Sequence, residues 1–374
     1  MKCVLRYIAI LFLIFYNLLA KAQLYNPSDK KATAETKALF YSMQRLVGAG
    51  VMFGHHDDTA YGVGWRFEPG RSDVKSVTGS YPAVYGWDLA RVEYDSINDI
   101  NGIPFRLQKQ LVQEAYDRGG INTYCWHMDN PVNGKTAWDT TQRTVKDLIP
   151  GGAYHDAYVT WLDKAAAHIA DLKGSGGEAI PILFRPFHEL TGSWFWWGKN
   201  TCTPDEFKTL WRFTIDYLRK NKKLHNLLIV YSTADFDSEE QFMERYPGDH
   251  YADFIGFDNY CTNSVSDYQS NMEKRLAILD VIAAKHHKLT CLPETGYVQI
   301  PMADWWTKIL LPTLSNHKVS YAMAWRNGNS SHYFTPYPGQ VSADDFIKFY
   351  NSPRIIFQNR ITPLSVYSKP NSSK

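Results

Sequence analysis

Residues 180–189 read IPILFRPFHE, an apolar run interrupted by one proline that leads directly into the polar side chains Arg185, His188 and Glu189. A short run of this kind, rich in β-branched and aromatic residues, is typical of a buried strand. Polar side chains directly after such a strand indicate that its carboxyl end opens into a cleft. This stretch decides the fold because the same arrangement recurs along the chain.

Eight runs of this kind predict eight strands. They lie at residues 51–53, 83–85, 121–124, 180–184, 227–231, 254–257, 289–292 and 319–324. Longer stretches with helical spacing predict helices at residues 105–117, 158–172, 204–218, 272–284, 303–314 and 343–350. Strands that alternate with helices over one undivided chain predict the α/β class and, within it, a single (β/α)8 TIM barrel.

The composition is that of a globular protein. The chain has 374 residues, of which 44% are hydrophobic and 21% are charged. Lys and Arg total 40 against 38 Asp and Glu, and the resulting net charge of +2 argues against a protein that binds nucleic acid through its phosphates. Aromatic residues make up 15% of the chain, and many stand beside polar residues, which suits the recognition of sugars.

The first 22 residues have the pattern of a secretory signal peptide. Lys2 and Arg6 flank the start of an apolar run over residues 7–20, and residues 20–22 read AKA, a small-x-small cleavage site. We expect cleavage after Ala22, a barrel domain over residues 23–374, and an exported protein that is periplasmic or secreted. The apolar run is short for a membrane span, and Cys3 lies at the wrong end for a lipid anchor, so we expect no membrane anchor.

The remaining cysteines do not organise the fold. Cys125, Cys202, Cys261 and Cys291 are spaced too irregularly for a zinc ribbon or a disulfide scaffold. Cys202 and Cys261 lie in predicted loops and are candidates for one disulfide in an oxidising compartment. Cys125 and Cys291 lie in apolar runs and are expected to be buried thiols.

Polar side chains follow seven of the eight predicted strands. The segments are GHHDD at residues 54–58, WD at 87–88, WH at 126–127, RPFHE at 185–189, DNY at 258–260, PETG at 293–296 and WR at 325–326. Glu189 and Glu294 follow the fourth and seventh strands, which face each other across a barrel mouth. Two facing carboxyl groups are the machinery of a glycosidase, and their separation decides between retention and inversion. The sequence spacing leaves both stereochemical outcomes open.

In order along the chain, several of these segments resemble glycoside hydrolase family 26. The resemblance covers about residues 29–350 and rests on FGH at residues 53–55, WH at 126–127, RPFHE at 185–189 with Trp194, FDNY at 257–260, PETG at 293–296 and AWR at 324–326. The commonest members of that family are β-1,4-mannanases that act with retention on a (β/α)8 barrel. The resemblance therefore implies hydrolysis of β-1,4-mannosidic linkages in mannan, glucomannan or galactomannan and their oligosaccharides. It implies no cofactor, and we expect a monomer.

The resemblance also assigns roles to residues. It makes Glu189 the acid/base and Glu294 the nucleophile, and it places Tyr260 as a hydrogen-bond donor to Glu294; Arg185 is a second available donor. His188 precedes the acid/base, where the wider clan usually has Asn. The remaining residues implied to contact sugars are Trp325, Arg326, His127, Asp258 and Trp194. We expect the ring of Trp194 to help raise the pKa of Glu189.

Three alternatives remain open from the sequence. The same fold and mechanism could serve mixed-linkage β-glucan or β-1,3-xylan. A metal-dependent polysaccharide deacetylase would instead use residues 55–58, with His127 or His188 completing a metal site. A non-catalytic barrel would only bind glycan. Long predicted loops after the second, third and eighth strands add a further question, which is whether the cleft is open or is closed so that mannobiose is released from chain ends.

Overall fold

The computed structural model describes residues 24–368, so the predicted signal peptide, residues 1–22, lies outside the described residues. Eight parallel strands form a closed barrel. They are β1 Val51–His56, β2 Val84–Asp88, β3 Ile121–Cys125, β4 Ile182–Arg185, β5 Leu227–Thr233, β6 Phe254–Tyr260, β7 Leu289–Gly296 and β8 Val319–Ala324. β8 pairs with both β7 and β1, which closes the sheet. The predicted (β/α)8 barrel is confirmed.

Helices surround the barrel and follow the predicted order. They are α1 Ala34–Leu46, α2 Asp73–Thr78, α3 Phe105–Asp117, α4 Val145–Leu148, α5 His155–Ala170, α6 Pro204–Asp216, α7 Glu239–Met243, α8 Val265–His286, α9 Leu311–Ser315, α10 Ala343–Asn351 and α11 Gln358–Ile361. Turns of π-helix occupy Tyr217–Asn221 and Trp306–Leu310. α6 begins with a reciprocal capping box between Thr203 and Glu206, as its sequence predicts.

Two predicted helices differ most from the structure at their ends. α8 begins seven residues before the predicted start at residue 272, because the Ser264 side chain accepts a hydrogen bond from the Asp267 backbone at 3.0 Å and caps the helix there. The helix predicted over residues 303–314 is a π-helical turn followed by the short α9. Hydrophobic spacing identified both elements, whereas local capping and hydrogen bonding set their limits.

The core has two layers. Side chains from the strands fill the barrel interior, among them Met52, Leu183 and Phe254. α1 closes the amino-terminal end of the barrel, where the Phe40 ring packs edge-on against Phe254 with centroids 5.9 Å apart. Because this end is plugged, the opposite end is where the barrel opens to a ligand.

Long loops surround that open end. The connections after β2, β3 and β8 cover residues 89–104, 126–154 and 325–342, as predicted. The loop after β1 carries a small antiparallel hairpin, Tyr61–Gly62 with Trp65–Arg66, that the sequence did not indicate. A further short strand, Ile355–Ile356, pairs with the start of β1.

Cys125, Cys202, Cys261 and Cys291 are all free and buried, so the candidate disulfide between Cys202 and Cys261 is absent from the structure. Cys202 instead lies against the Arg245 guanidinium, with Sγ 3.3 Å from Nη1. Within residues 24–368, no helix combines the length and the apolar character needed to cross a membrane.

Candidate active site

The predicted site residues all lie at or just beyond the carboxyl ends of the barrel strands. They are His127 after β3, Arg185, His188, Glu189 and Trp194 at and after β4, Asp258 and Tyr260 on β6, Glu294 on β7, and Trp325 and Arg326 after β8. A parallel barrel gathers these positions at one rim, because the carboxyl ends of all its strands point the same way. The rim therefore forms a polar cleft.

Three carboxyl groups meet in this cleft. Glu189, Glu294 and Asp258 each place an oxygen within 4.8 Å of an oxygen of the other two. Carboxyl groups about 5–5.5 Å apart suit a nucleophile and an acid in a double displacement, whereas an inverting pair needs roughly 6.5–9.5 Å to admit a water. The spacing of Glu189 and Glu294 favours the retaining arrangement.

Glu189 is held by a strained turn. The backbone of Phe187 has φ of 49° and that of Glu189 has φ of 54°, the left-handed region that residues with a side chain seldom adopt. The Glu189 backbone N–H bonds to the Ser232 carbonyl on β5 at 3.0 Å, which fixes this turn to the barrel. The turn leaves the Glu189 side chain half-buried in the cleft beside Trp194. Strain of this kind is concentrated at functional sites.

The surroundings of Glu189 keep a large fraction of its carboxyl group protonated near neutral pH. Burial and the nearby charge of Glu294 raise the pKa of Glu189 to about 7. The Trp194 indole N–H lies 2.5 Å from a Glu189 oxygen, and this hydrogen bond lowers the pKa of Glu189 because it stabilises the carboxylate. The Trp194 N–H group therefore opposes the pKa rise that burial and Glu294 produce.

This hydrogen bond gives a testable pH effect. In Trp194→Phe the aromatic ring remains and the N–H donor is lost, so the pKa of Glu189 rises. We expect the alkaline limb of kcat/KM against pH to move to higher pH. Trp161→Phe, on α5 outside the barrel, is the matched control and should leave the limb in place. A limb that stays fixed or moves to lower pH in Trp194→Phe would contradict this assignment.

Both oxygens of Glu294 accept hydrogen bonds from neighbouring side chains. The Arg185 guanidinium donates to one oxygen of Glu294, and the Tyr260 hydroxyl donates to the other at 2.6 Å. Burial and the charge of Glu294 hold the pKa of Tyr260 well above its ordinary value, so Tyr260 remains a donor. These contacts equip Glu294 to act as a carboxylate nucleophile.

Asp258 shares Arg185 with Glu294. The Arg185 Nη1 lies 2.8 Å from Asp258 Oδ2, whereas Asp258 Oδ1 has no hydrogen-bond partner among the described residues. Burial raises the pKa of Asp258 well above its ordinary value; Arg185 opposes this rise and Glu294 adds to it. Asp258 thus combines an ion pair with a free oxygen at the edge of the cleft.

His127 and His188 form a hydrogen-bonded pair beside the carboxyl groups. His127 Nδ1 lies 2.6 Å from Asp88 Oδ2, and the Nε2 atoms of the two histidines are 3.2 Å apart. Burial opposes a charge on His127, yet the Asp88 carboxylate raises the pKa of His127. Burial and then Arg185 hold the pKa of His188 well below its ordinary value. The two pKa shifts run in opposite directions, so His127 is the more readily protonated member of the pair.

One side of the cleft is formed by the loop after β8. Trp325 is half-buried, and its ring lies 4.3 Å from the His56 ring at an interplanar angle of 38°. Arg326 follows it and lies against the Tyr61 hydroxyl. Within residues 24–368, Arg326 forms no ion pair with a carboxylate, and its side chain is half-buried.

Sequence reasoning missed two residues of this cleft. Asp88 bonds to His127, and its position as the last residue of β2 matches the pattern of polar residues at the other strand ends, so the signal was present. Trp138 belongs to the long loop after β3; its ring is 48% exposed and stacks on His127 with centroids 5.3 Å apart and an interplanar angle of 20°. No periodic pattern marks a single aromatic residue in such a loop. Trp196 and Trp197, by contrast, are fully buried in the core.

The deacetylase alternative is not supported by the arrangement of residues 55–58. His55 bonds to Asp58 at 2.8 Å, and its other ring nitrogen lies 3.3 Å from the Thr335 hydroxyl. His56 packs against Trp325 instead. Consecutive residues on a strand point to opposite sides, so these side chains do not converge on a common point.

A (β/α)8 barrel with an acid of raised pKa and a hydrogen-bonded carboxylate facing each other at its mouth defines a glycoside hydrolase. Sequence comparison gives the same class, since the glycosyl hydrolase family 26 profile matches residues 28–332. The chain belongs to glycosyl hydrolase family 26.

Three relatives illustrate this membership. The chain is 42% identical to the structure of a GH26 beta-mannanase from Bacteroides ovatus, with a TM-score of 0.88 over 91% of this chain and 99% of that chain. It is 32% identical over 360 residues to a mannan endo-1,4-beta-mannosidase of Bifidobacterium adolescentis, covering 90% of this chain and 36% of the relative. It is 28% identical to a mannan endo-1,4-beta-mannosidase of Bacillus subtilis, covering 73% of this chain and 78% of the relative. The chain thus spans about a third of the Bifidobacterium protein.

Proposed function

We propose that the protein hydrolyses β-1,4-mannosidic linkages in mannan, glucomannan, galactomannan and their oligosaccharides by double displacement with retention. The observation that carries the proposal is the pair formed by Glu189, with its raised pKa, and Glu294, with its two hydrogen-bond donors, at a separation suited to retention. The similarity to proteins named as mannanases supports the choice of mannan.

In the first step the Glu294 carboxylate attacks the anomeric carbon, and the bond from that carbon to the leaving oxygen breaks. Glu189 donates its proton to the leaving oxygen. In the second step Glu189, now a carboxylate, takes a proton from water, whose oxygen attacks the same carbon and releases Glu294. Two inversions give net retention, and both carboxyl groups return to their starting states.

The other cleft residues position the sugar in this proposal. Trp325 is the platform under the reacting sugar, and Arg326 binds the next sugar toward the non-reducing end. His127 and Asp258 contact hydroxyl groups near the reacting sugar. The exposed Trp194 ring lies on the leaving-group side, where its N–H group also meets Glu189.

A polysaccharide panel tests the substrate. Linear mannan, glucomannan, galactomannan, mixed-linkage β-glucan and β-1,3-xylan are compared by reducing-end release, with the products sized over time. We expect turnover of the three mannans and not of the other two. Rapid proton NMR of the first product should show the β-anomer before mutarotation. Turnover confined to β-glucan or xylan would overturn the substrate, and an initial α-anomer would overturn retention.

A second candidate is the release of mannobiose from chain ends, and contacts between loops favour it. The Asn101 side chain in the loop after β2 bonds to Asp57 after β1 at 2.9 Å, and Arg66 bonds to the Asn101 carbonyl at 2.7 Å. These bonds join two loops beside the proposed Arg326 subsite. The fall in galactomannan viscosity, plotted against the number of reducing ends formed, separates cleavage within the chain from mannobiose release at chain ends. An open cleft that cleaves within the chain gives a steep early fall in viscosity and mixed products.

We also propose that the chain is exported after cleavage following Ala22, and that it acts as a monomer without a cofactor. The support for export is the charged, apolar and small-residue pattern of residues 1–22. Amino-terminal sequencing of the protein recovered from cell fractions tests the cleavage site and the compartment. Light scattering of the purified protein tests the oligomeric state.

A further inference from the structure

Asp73, the first residue of α2, lies outside the catalytic cleft but joins two of the loops that form it. Its side chain is buried, and the described residues contain no cation paired with it. Its carboxylate instead accepts three hydrogen bonds from neutral N–H groups. A buried carboxylate without a cation depends on such donors, and its donors depend equally on it.

Two of the donors belong to the hairpin after β1. Asp73 Oδ2 accepts from the Val63 backbone at 2.9 Å, and Asp73 Oδ1 accepts from the Trp65 indole at 2.7 Å. The approach is close enough that a Cβ placed on Gly62 would lie 2.3 Å from Asp73 Oδ2. The hairpin is therefore folded tightly around this one carboxylate.

The third donor belongs to the loop after β8. The Asn327 amide donates to Asp73 Oδ2 at 2.9 Å, and its oxygen accepts from the backbone of Phe334 and Thr335 at 2.9 and 3.0 Å. Asn327 is fully buried. It closes the segment 328–335 into a loop and attaches that loop to Asp73.

The two attached segments provide the two sides of Arg326. Tyr61, on the hairpin, places its hydroxyl against the Arg326 guanidinium. Gly328, directly after Asn327, lies on the other side, where an added Cβ would be 2.7 Å from Arg326 Nη1. Asp73 thus holds both segments between which the guanidinium lies, and the Tyr61 hydroxyl is held in addition by Asp57 Oδ2 at 2.5 Å.

Trp325 is held differently. It directly follows β8, and its backbone N–H bonds to the Thr295 carbonyl on β7 at 3.3 Å. The barrel therefore positions Trp325 without Asp73, whereas the chain beyond it is held by Asn327. A disturbance at Asp73 should move Arg326 and leave Trp325 in place.

From these contacts we propose that Asp73 is a positioning residue that sets Arg326 for binding the second glycone sugar. The proposal rests on the proposed function, in which Trp325 serves the first glycone sugar and Arg326 the second. An aryl β-mannobioside uses both residues, whereas an aryl β-mannoside uses Trp325 alone. A change at Asp73 that acts through Arg326 should therefore affect the mannobioside alone, whereas a change in the catalytic step should affect both substrates.

The experiment compares the wild type, Asp73→Asn, Arg326→Ala and the double variant on both aryl substrates. In Asp73→Asn an amide NH₂ group replaces one of the two acceptor oxygens. This group cannot accept a hydrogen bond from the N–H donors that surround Asp73. We expect kcat/KM on the mannobioside to fall roughly ten- to hundred-fold and that on the mannoside to stay within about twofold. The double variant should be no slower than Arg326→Ala, because Asp73 acts through Arg326. Asp156→Asn, an exposed carboxylate in the first turn of α5, is the matched control.

Several outcomes would overturn the proposal. An equal fall on both substrates would show that Asp73 only supports the fold, and additive effects in the double variant would show that it does not act through Arg326. If Asp73→Asn does not fold, Trp65→Phe removes a single donor and should give a smaller selective fall; no selective fall would then reject the proposal. If the wild type cleaves biosides of another sugar, the mannan substrate is wrong and the same comparison is made with that sugar.

Discussion

Glu294→Ala should lose turnover on every substrate, including aryl glycosides whose leaving groups need no proton. Without this carboxylate no glycosyl–enzyme intermediate can form, so we expect kcat to fall on the order of 10⁵-fold. The loss does not depend on the leaving group because the missing bond is the one to the anomeric carbon. Steady-state rates on galactomannan and on an aryl β-mannobioside measure it.

Azide provides the discriminating observation for Glu294→Ala. The space left by the side chain can admit azide, which attacks an activated β-glycoside once and gives the α-glycosyl azide. Glu273→Ala, an exposed glutamate on α8, is the matched control and should retain wild-type rates. Substantial turnover of the aryl substrate by Glu294→Ala without azide would show that another group is the nucleophile.

Glu189→Ala should behave differently on the two kinds of substrate. On polysaccharide the leaving oxygen needs a proton, so we expect kcat/KM to fall roughly 10²- to 10⁴-fold. On an aryl substrate with a good leaving group the first step should continue, and the glycosyl–enzyme intermediate should accumulate because the base for the second step is missing. A burst of released phenol followed by slow turnover is the expected signature.

Azide should restore the second step of Glu189→Ala and give the β-glycosyl azide, because it attacks an intermediate that has already been inverted once. The anomer of the azide product thus identifies which carboxyl group was removed. An equal loss on polysaccharide and on activated substrate, with no azide product, would reject the acid/base role. The alkaline limb of the pH profile should also disappear in Glu189→Gln, and a limb that persists would mean that another group supplies the proton.

The barrel was predictable from the sequence because each strand carries its own signal. A short apolar run ending in polar residues is encoded locally. Closure of the parallel strands into a barrel then brings residues from distant strand ends, such as Glu189 and Glu294, together. The distances between the side chains at these strand ends have no such local signal in the sequence. The close approach of the carboxylate oxygens depends on the turn with left-handed backbone and on the register of β6 with β7.

Other features of the site depended on side-chain direction, which sequence patterns do not contain. Trp194 was expected to act through its apolar ring, whereas the structure also directs its indole N–H group toward Glu189, where the hydrogen bond lowers the pKa of Glu189. The hairpin after β1 is specified by Asp73, ten residues beyond Val63, and not by strand-like alternation. Cys202 and Cys261 lie in segments that leave both thiols free, so loop position alone was a poor guide to pairing.

The closure of the barrel by β1 and β8 also constrains how the chain can fold. Met52 pairs with Tyr321, and α1, near the amino terminus, packs against a strand close to the other end of the chain. Contacts between such distant segments form slowly, because a long loop must be ordered before they are made. A chain of this topology cannot complete its sheet until its last strand is available. If the chain is exported as proposed, its barrel would stay open until nearly all of the chain had crossed the membrane.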